Sequence, residues 1–474
     1  MTYIICIFRN RVNIIPLNIN IFMKTKLLLT LFAGAIIFMT SCKDDEDPGV
    51  ITPSLDEELA DLIDDFDFYT LPESNDFANI PQDPNNPMSD GKVALGKLLY
   101  HETALGANPR ITGVGSEGTY SCASCHHVLA GFQAGVKQGI SEGGVGFGMV
   151  GEARILNPEY VNWIDSMDVQ PIRTPTAMNT AFQDVMLWNG QFGATGTNAG
   201  TEANWTPGTP IATNNLGFQG LETQAIAGFT VHRQKITEDF LNGYPEYKTQ
   251  FDAVYGTYST DDETLRQLTG LAIAAYERTL LSTEAPFQRY LKGETSALTE
   301  EQKKGAILFF GKAGCTSCHN GPALNSMQFE AIGMNELKGV GTFNTEGEQG
   351  ARLGRGSFTK NPDDNYKFKV PQLYNLKDVS FLGHGGNFST VRQVIQYKNA
   401  AIPQNVEVPV SQLADEFVPL NLTPEEIDQL TAFIVDGLYD DNLIRYVPES
   451  IISGFFFPVN DLESQDDPGI MGGF

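Results

Sequence analysis

The sequence predicts a loop-rich globular protein made of two related halves, and three observations carry that expectation. Hydrophobic residues make up 41% of the chain and charged residues only 19%, too apolar for disorder, and 474 residues are enough for two or three domains. The 47 glycines and 25 prolines stand somewhat above average usage and favour loops over long bundles. A set of short strings also recurs in the same order along the chain, the mark of an internal duplication. With 58 acidic against 31 basic residues the formal net charge is −27. That sign excludes nucleic acid as the default partner, because phosphate binding needs a basic surface.

Taken from the N-terminus, the first element is a targeting segment. Lys24 and Lys26 precede the apolar run Leu27 to Met39, followed by Thr40-Ser41-Cys42. A short basic region, an apolar stretch and small residues before a cut read as a secretory signal, and the run is short for a bilayer span, which needs about 20 apolar residues. Cys42 at the cut resembles a lipoprotein box, with ordinary cleavage nearby as the alternative; Met23 reads as the start of the signal. Lys43-Asp44-Asp45-Glu46-Asp47-Pro48 is a solvated tether by composition.

Four of the remaining cysteines form Cys122-Ala123-Ser124-Cys125-His126 and Cys315-Thr316-Ser317-Cys318-His319. C-x-x-C-H is the attachment pattern of c-type haem: the two thiols add to the vinyl groups and the adjacent His becomes the proximal iron ligand. A disulfide within each pair leaves His126 and His319 unexplained. A four-Cys zinc site would join halves far apart in the chain, and a thioredoxin-like pair wants a βαβ context that the Gly-rich flanks lack. Export to an oxidising compartment agrees with two covalent haems.

The repeat extends beyond these strings. Gly96-Lys97-Leu98-Leu99-Tyr100 and Gly305-Ala306-Ile307-Leu308-Phe309 each read as the end of an apolar helix delivering the chain to a haem. Downstream, Pro175-Thr176-Ala177-Met178-Asn179 recurs as Pro371-Gln372-Leu373-Tyr374-Asn375, and Trp188-Asn189-Gly190 as His384-Gly385-Gly386. Between the halves, Leu265 to Leu281 has apolar residues at helical spacing and predicts a buried helix. Residues 193–218, rich in Gly, Thr and Asn, predict a loop confined to the first half. The resulting division is an upstream extension and signal at 1–41, a tether at 42–58, an N-terminal haem domain at 59–295, a C-terminal haem domain at 296–445 and a tail at 446–474, which can wrap back over the first domain.

These strings, with "LGKLLYHETALG", "RTPTAMNTAF", "GLETQA", "AIAAYERTLLS" and "KFKVPQLYNLKDVSFLGHGG", resemble the bacterial di-haem cytochrome c peroxidases and their MauG-type relatives over roughly residues 60–445. The resemblance implies a mostly α fold with two tandem cytochrome-c-like domains. It also implies a division of labour: the N-terminal haem meets hydrogen peroxide, and the six-coordinate C-terminal haem takes electrons from a small cytochrome c or similar donor. Alternatives are a MauG-type oxidase of a protein or organic substrate and a non-enzymatic di-haem electron carrier. The place implied is the periplasm or cell surface, with a lipid anchor in the outer membrane at Cys42.

Individual residues follow from the same likeness. Trp188 matches a tryptophan placed between the haems, an electron relay. The region Gly139 to Gly144 carries no His where family members needing reductive activation have one, so the N-terminal haem is expected open. Tyr397 matches the sixth ligand of the second haem, with Met327 and Met334 as alternatives. The distal acid/base position falls on Gln234, which cannot exchange a proton at neutral pH, so Glu142, Glu238 or His232 could substitute. A calcium ion between the domains stays open, although Arg173 and Phe381 replace residues that would coordinate it.

Overall fold

The computed structural model describes residues 53–345 and 349–473. The signal, Cys42 and most of the acidic tether lie outside the described residues. The chain from Pro53 onward forms a single unit by its contacts, helix-rich, with strands confined to three two-stranded antiparallel pairs. These pair Gly144–Val145 with Ile155–Leu156, Phe329–Glu330 with Phe368–Lys369, and Phe456–Phe457 with Met471–Gly472.

Each haem string is preceded by a capped helix seated closely on a later one. Asp90–His101 starts where the Ser89 side chain accepts from the Lys92 N–H, and Glu300–Phe310 starts at a Thr299–Gln302 capping box. The first crosses Asp262–Glu277 and the second Pro424–Ala432. Glycine makes both crossings possible. A Cβ on Gly96 would lie 1.9 Å from the Ala272 carbonyl oxygen, and one on Gly305 would lie 2.1 Å from that of Gln429. A third such seat is Gly270 against Ile226 of the Gly220–Val231 helix.

Two hydrophobic cores result. One gathers Leu95, Leu99, Tyr100, Leu265 and Ile273 around the first string; the other gathers Leu308, Phe309, Leu430 and Phe433 behind the second. Leu59, Ile63, Leu71 and Ile80 belong to the second core. The Leu55–Leu62 helix packs on Glu300–Phe310, with an Asp56–Lys303 ion pair at their edge. Its apolar face finds cover there, and nothing in its local sequence names that partner.

The predicted 265–281 helix is observed as Asp262–Glu277. Its end is set by tertiary bonds, because the Leu280 carbonyl accepts from the Asn179 N–H at 2.8 Å and the Leu281 carbonyl from the Tyr446 hydroxyl at 2.6 Å. Beneath it, Arg278 and Glu222 form a fully buried bidentate pair at 3.0 and 2.7 Å. Residues 193–218 form short 3-10 turns pinned by the buried Asn198 and Asn214, whose amides hold the Gly190, Gly193 and Gln191 carbonyls. The tail returns to the first string: Ser121 and Ser124 both donate to the Pro458 carbonyl, and Arg154 pairs with Asp461. No described helix is long and apolar enough to cross a membrane.

Candidate haem site

One cavity of about 400 Å³ is lined by both Cys-x-x-Cys-His strings. Each string begins in a single 3-10 turn, Cys122–Ser124 or Cys315–Ser317, so that both cysteines and the histidine come to one side. The four thiols are free, which removes the disulfide alternative. Burial pushes the Cys122, Cys125 and Cys315 thiols up to about 12. Among the described residues no three His, Cys, Asp or Glu side chains cluster as a metal-ion site.

The histidines are aimed. His126 Nδ1 lies 3.3 Å from the Phe132 carbonyl oxygen, and His319 Nδ1 lies 3.1 Å from those of Leu324 and Pro371. A carbonyl only accepts, so Nδ1 carries the hydrogen and Nε2 presents its lone pair, as an axial imidazole must. Phe132 and Leu324 both hold positive φ, 54° and 46°, to turn those carbonyls inward. Burial, with a nearby cation (His232 at one ring, Lys398 at the other), holds both imidazoles down to about 4 and therefore neutral. Free paired thiols, a neutral aimed imidazole and a mostly apolar cavity fit c-type haem at both strings.

At the N-terminal string a second histidine faces the cavity. His232, just past the Gly220–Val231 helix, holds Asp168 through Nδ1 at 3.0 Å. Asp168 is buried and also accepts from the Ser141 hydroxyl. Burial opposes charge on His232, but the Asp168 charge and hydrogen bond outweigh it, so its pKa is raised. Gln234 lines the same end, its Oε1 3.6 Å from Cys122 Sγ. Glu142 does not reach the cavity. It is completely buried behind it, bound by Arg233, the Tyr160 hydroxyl and the Ile111 N–H, and acts as an anchor for that wall. His127 points away, edge-on to Phe147.

Trp188 lines the cavity together with both strings. Its Nε1–H donates to the Arg173 carbonyl at 2.8 Å, the Arg173 guanidinium sits 5.3 Å from its ring centre, and His384 is 6.4 Å away. His384 stacks on Phe368 with ring centres 3.7 Å apart and lies 3.3 Å from Glu336. Arg173 donates to the Gly383 carbonyl and to Gln133. Lys369 donates to Gln183 and to the Val185 carbonyl. Burial lowers these two cations, to about 10 and about 7. Two buried cations at this junction oppose a calcium ion there.

At the C-terminal string the expected tyrosine adjoins the cavity, against Ile332 and Phe417, which line it. Tyr397 donates its hydroxyl to the Ile332 carbonyl, accepts from the Gln404 N–H at 3.4 Å and packs on Phe388 and Phe417. The Val391–Ala400 helix, which carries Tyr397, presents Val391, Val394, Ile395 and Lys398 to the cavity.

Residues 90–296 match the profile of the di-haem cytochrome c peroxidase family. The chain is similar to cytochrome c peroxidases and to MauG. It is 29% identical over 376 residues to cytochrome-c peroxidase IdrP1 of Denitromonas iodatirespirans, covering 75% of this chain and 83% of the relative. It is 28% identical over 408 residues to the methylamine utilization protein MauG of Methylorubrum extorquens, covering 85% and 90%. The solved structure of a MauG-like protein associated with microbial copper homeostasis superposes with a TM-score of 0.52 at 22% identity, covering 79% of this chain and 96% of that one, a likeness of fold.

Sequence reasoning missed Asp168 as the partner of His232 and missed Lys398 on the cavity wall. Asp168 left no local signal, since it meets His232 from 64 residues away. Lys398 did leave one. Positions 391, 394, 395 and 398 are i, i+3, i+4 and i+7, a single helical face, whereas Tyr397 falls about a third of a turn off it.

Proposed function

We propose that this protein is a di-haem cytochrome c peroxidase that reduces hydrogen peroxide to water with electrons from a small redox protein. The observation that carries the proposal is the single cavity shared by both strings, with the His232–Asp168 pair at its N-terminal end and Trp188 beside both. When bound, the two covalent haems supply a coordination position for peroxide and carry the two electrons that break its O–O bond. His232 Nε2 takes the proton from the oxygen of peroxide that approaches the N-terminal site and returns it to the departing oxygen. Asp168 fixes the tautomer by accepting from Nδ1–H and stabilises the transient imidazolium. With two electrons and two protons taken up, one peroxide leaves as two waters.

Gln234, unable to exchange a proton, orients the peroxide by hydrogen bonding. Cys315, Cys318 and His319 would hold the haem that receives electrons from the donor, and Trp188, lining the cavity with both strings, would relay them toward Cys122, Cys125 and His126. The acidic surface suits a donor with a basic docking face. Three parallels support descent of the two haem domains from one duplicated unit: the Gly96 and Gly305 seats, the positive φ of Phe132 and Leu324, and the matching 56° and 55° at Asn179 and Asn375. The lipid anchor at Cys42 and a periplasmic or cell-surface location complete the proposal.

The test is turnover of reduced small cytochrome by the purified, haem-loaded protein on addition of peroxide. Steady oxidation supports the assignment. Peroxide consumption only with a protein or organic reductant makes the protein a MauG-type oxidase. No reaction with peroxide at all leaves an electron carrier and overturns the proposal.

A further inference from the structure

We propose that Arg173 and Lys369, together with the Gln133 amide, hold haem propionate carboxylates in the cavity shared by the two strings. The inference rests on the haem assignment above and goes beyond it. Arg173 and Lys369 both line that cavity and are only 5% and 7% exposed. Among the described residues neither cation makes an ion pair. The Arg173 guanidinium donates to neutral groups, the Gly383 carbonyl at 2.9 Å and the Gln133 side-chain oxygen. Lys369 Nζ donates to the Gln183 side-chain oxygen and to the Val185 carbonyl. Asp184, the carboxylate whose charge reaches Lys369, is occupied by the N–H and hydroxyl of Thr197. Buried cations with neutral partners alone are costly to fold around. With 58 acidic residues against 31 basic ones, the missing counter-charge is not a shortage of carboxylates in the chain.

A second observation points the same way. Gln133 is buried on the cavity wall; its Oε1 is taken by Arg173, and its Nε2 is buried with no partner. A free amide N–H beside a guanidinium is a donor pair for an oxyanion. The carboxylates of the wall do not fill the place, since Asp168 holds His232 and Glu336 faces His384. The cavity's occupant supplies its own, because each haem brings propionate carboxylates, and ion pairing with them makes and breaks no covalent bond. The charge also has an electronic consequence: a cation beside a haem favours the reduced iron and holds its potential up. Both residues are tied to the proposed relay as well. The Trp188 Nε1–H donates to the Arg173 carbonyl at 2.8 Å, and the Trp188 carbonyl accepts from the Lys369 N–H at 2.8 Å. Arg173 and Lys369 are thus positioning residues for the haem edges and for Trp188 together.

The experiment uses the full haem-loaded protein, produced with aminolaevulinate isotopically labelled at its carboxyl carbon so that the haem propionates carry the label. Pyridine haemochrome analysis first counts c-type haems: fewer than two per chain overturns the haem assignment itself, separately from the propionate site. With two present, the reduced-minus-oxidised infrared spectrum of the unmodified protein is expected to show labelled carboxylate bands at ion-paired frequencies, an observation that needs no variant. Bands matching the water-exposed propionates of a proteolytic haem peptide overturn the proposal. Arg173→Gln and Lys369→Gln are each expected to shift a labelled band and to lower the midpoint potential of a haem, while the charge-keeping Arg173→Lys and Lys369→Arg preserve most of that potential. Unchanged bands and potentials in both charge-removing variants overturn the proposal. So does a potential in the unmodified protein that follows added chloride, since a small diffusible anion would then be the partner of the two cations.

Discussion

Replacing Asp168 by Asn separates charge from shape at the proposed proton-transfer pair. Asp168 Oδ2 lies 3.0 Å from His232 Nδ1 and the carboxylate is buried. At an effective dielectric near 20, opposite charges at that distance attract by about 5 kcal/mol. Desolvation offsets much of this, leaving the roughly 1.5–3 kcal/mol typical of a hydrogen bond to a charged group. At about 1.4 kcal/mol per pH unit, Asn should lower the His232 pKa by about one to two units. A base works when deprotonated, so the acid limb of the peroxide kcat/KM profile should move to lower pH by that amount. The plateau above it should fall about tenfold to a hundredfold, because the imidazole is weaker and its tautomer is no longer held, and His232→Ala should cost about 10²–10⁴.

Stopped-flow mixing with peroxide across the neutral range, on protein of unchanged haem content, measures both quantities. An unshifted profile with an undiminished plateau in Asp168→Asn would refute the reasoning. So would faster peroxide reaction in His232→Ala with a change from low to high spin, since His232 would then have been blocking the iron. Stability has its own sign. Burial raises the Asp168 pKa, but the His232 charge and the hydrogen bonds from His232 and Ser141 bring it below its ordinary value. The native ion therefore stabilises the fold above the unfolded carboxylate pKa, and this is lost as pH falls through the lowered native value. The Asn variant should be less stable near neutrality, with the gap closing in acid.

Trp188→Phe keeps a ring but removes the bond to the Arg173 carbonyl; cytochrome-driven turnover should fall more than tenfold while the haem count stays at two, and equal turnover would exclude Trp188 as the relay. Arg278→Met should cost about 3–5 kcal/mol in denaturant unfolding because Glu222 is left charged and buried, with much of the loss recovered by Arg278→Met/Glu222→Leu together. Gly305→Ala should lose about 3 kcal/mol or more by forcing a methyl against the Gln429 carbonyl. Gly91→Ala, whose added methyl would stand an ordinary 3.4 Å from Val254, should instead gain about 0.5–1 kcal/mol, a contrast readable from paired thermal melts.

The two Cys-x-x-Cys-His strings that line one cavity and the recurrence of Gly96 as Gly305 were legible because each is a local pattern: thiol, thiol and imidazole at fixed spacing, or a small residue in an apolar helix. The buried helix at 265–281 was legible in its period, but its last turn was lost to bonds from Asn179 and Tyr446. Residues 59–80 read as part of the first half by position and pack in the core of the second, since an amphipathic face specifies cover without specifying whose. Tyr397 against Lys398 shows the same divide at the site. Adjacent residues on a helix face directions about 100° apart, so the composition of the 391–400 helix leaves open which side chains line the cavity, and packing puts Val391, Val394, Ile395 and Lys398 there. Asp168 meets His232, and Arg173 meets Trp188 and Gly383, through contacts that chain order does not encode. The sequence by itself determined which cofactor chemistry this protein carries; tertiary packing decided which groups face it, because direction and proximity across the chain exist only once the cores have closed.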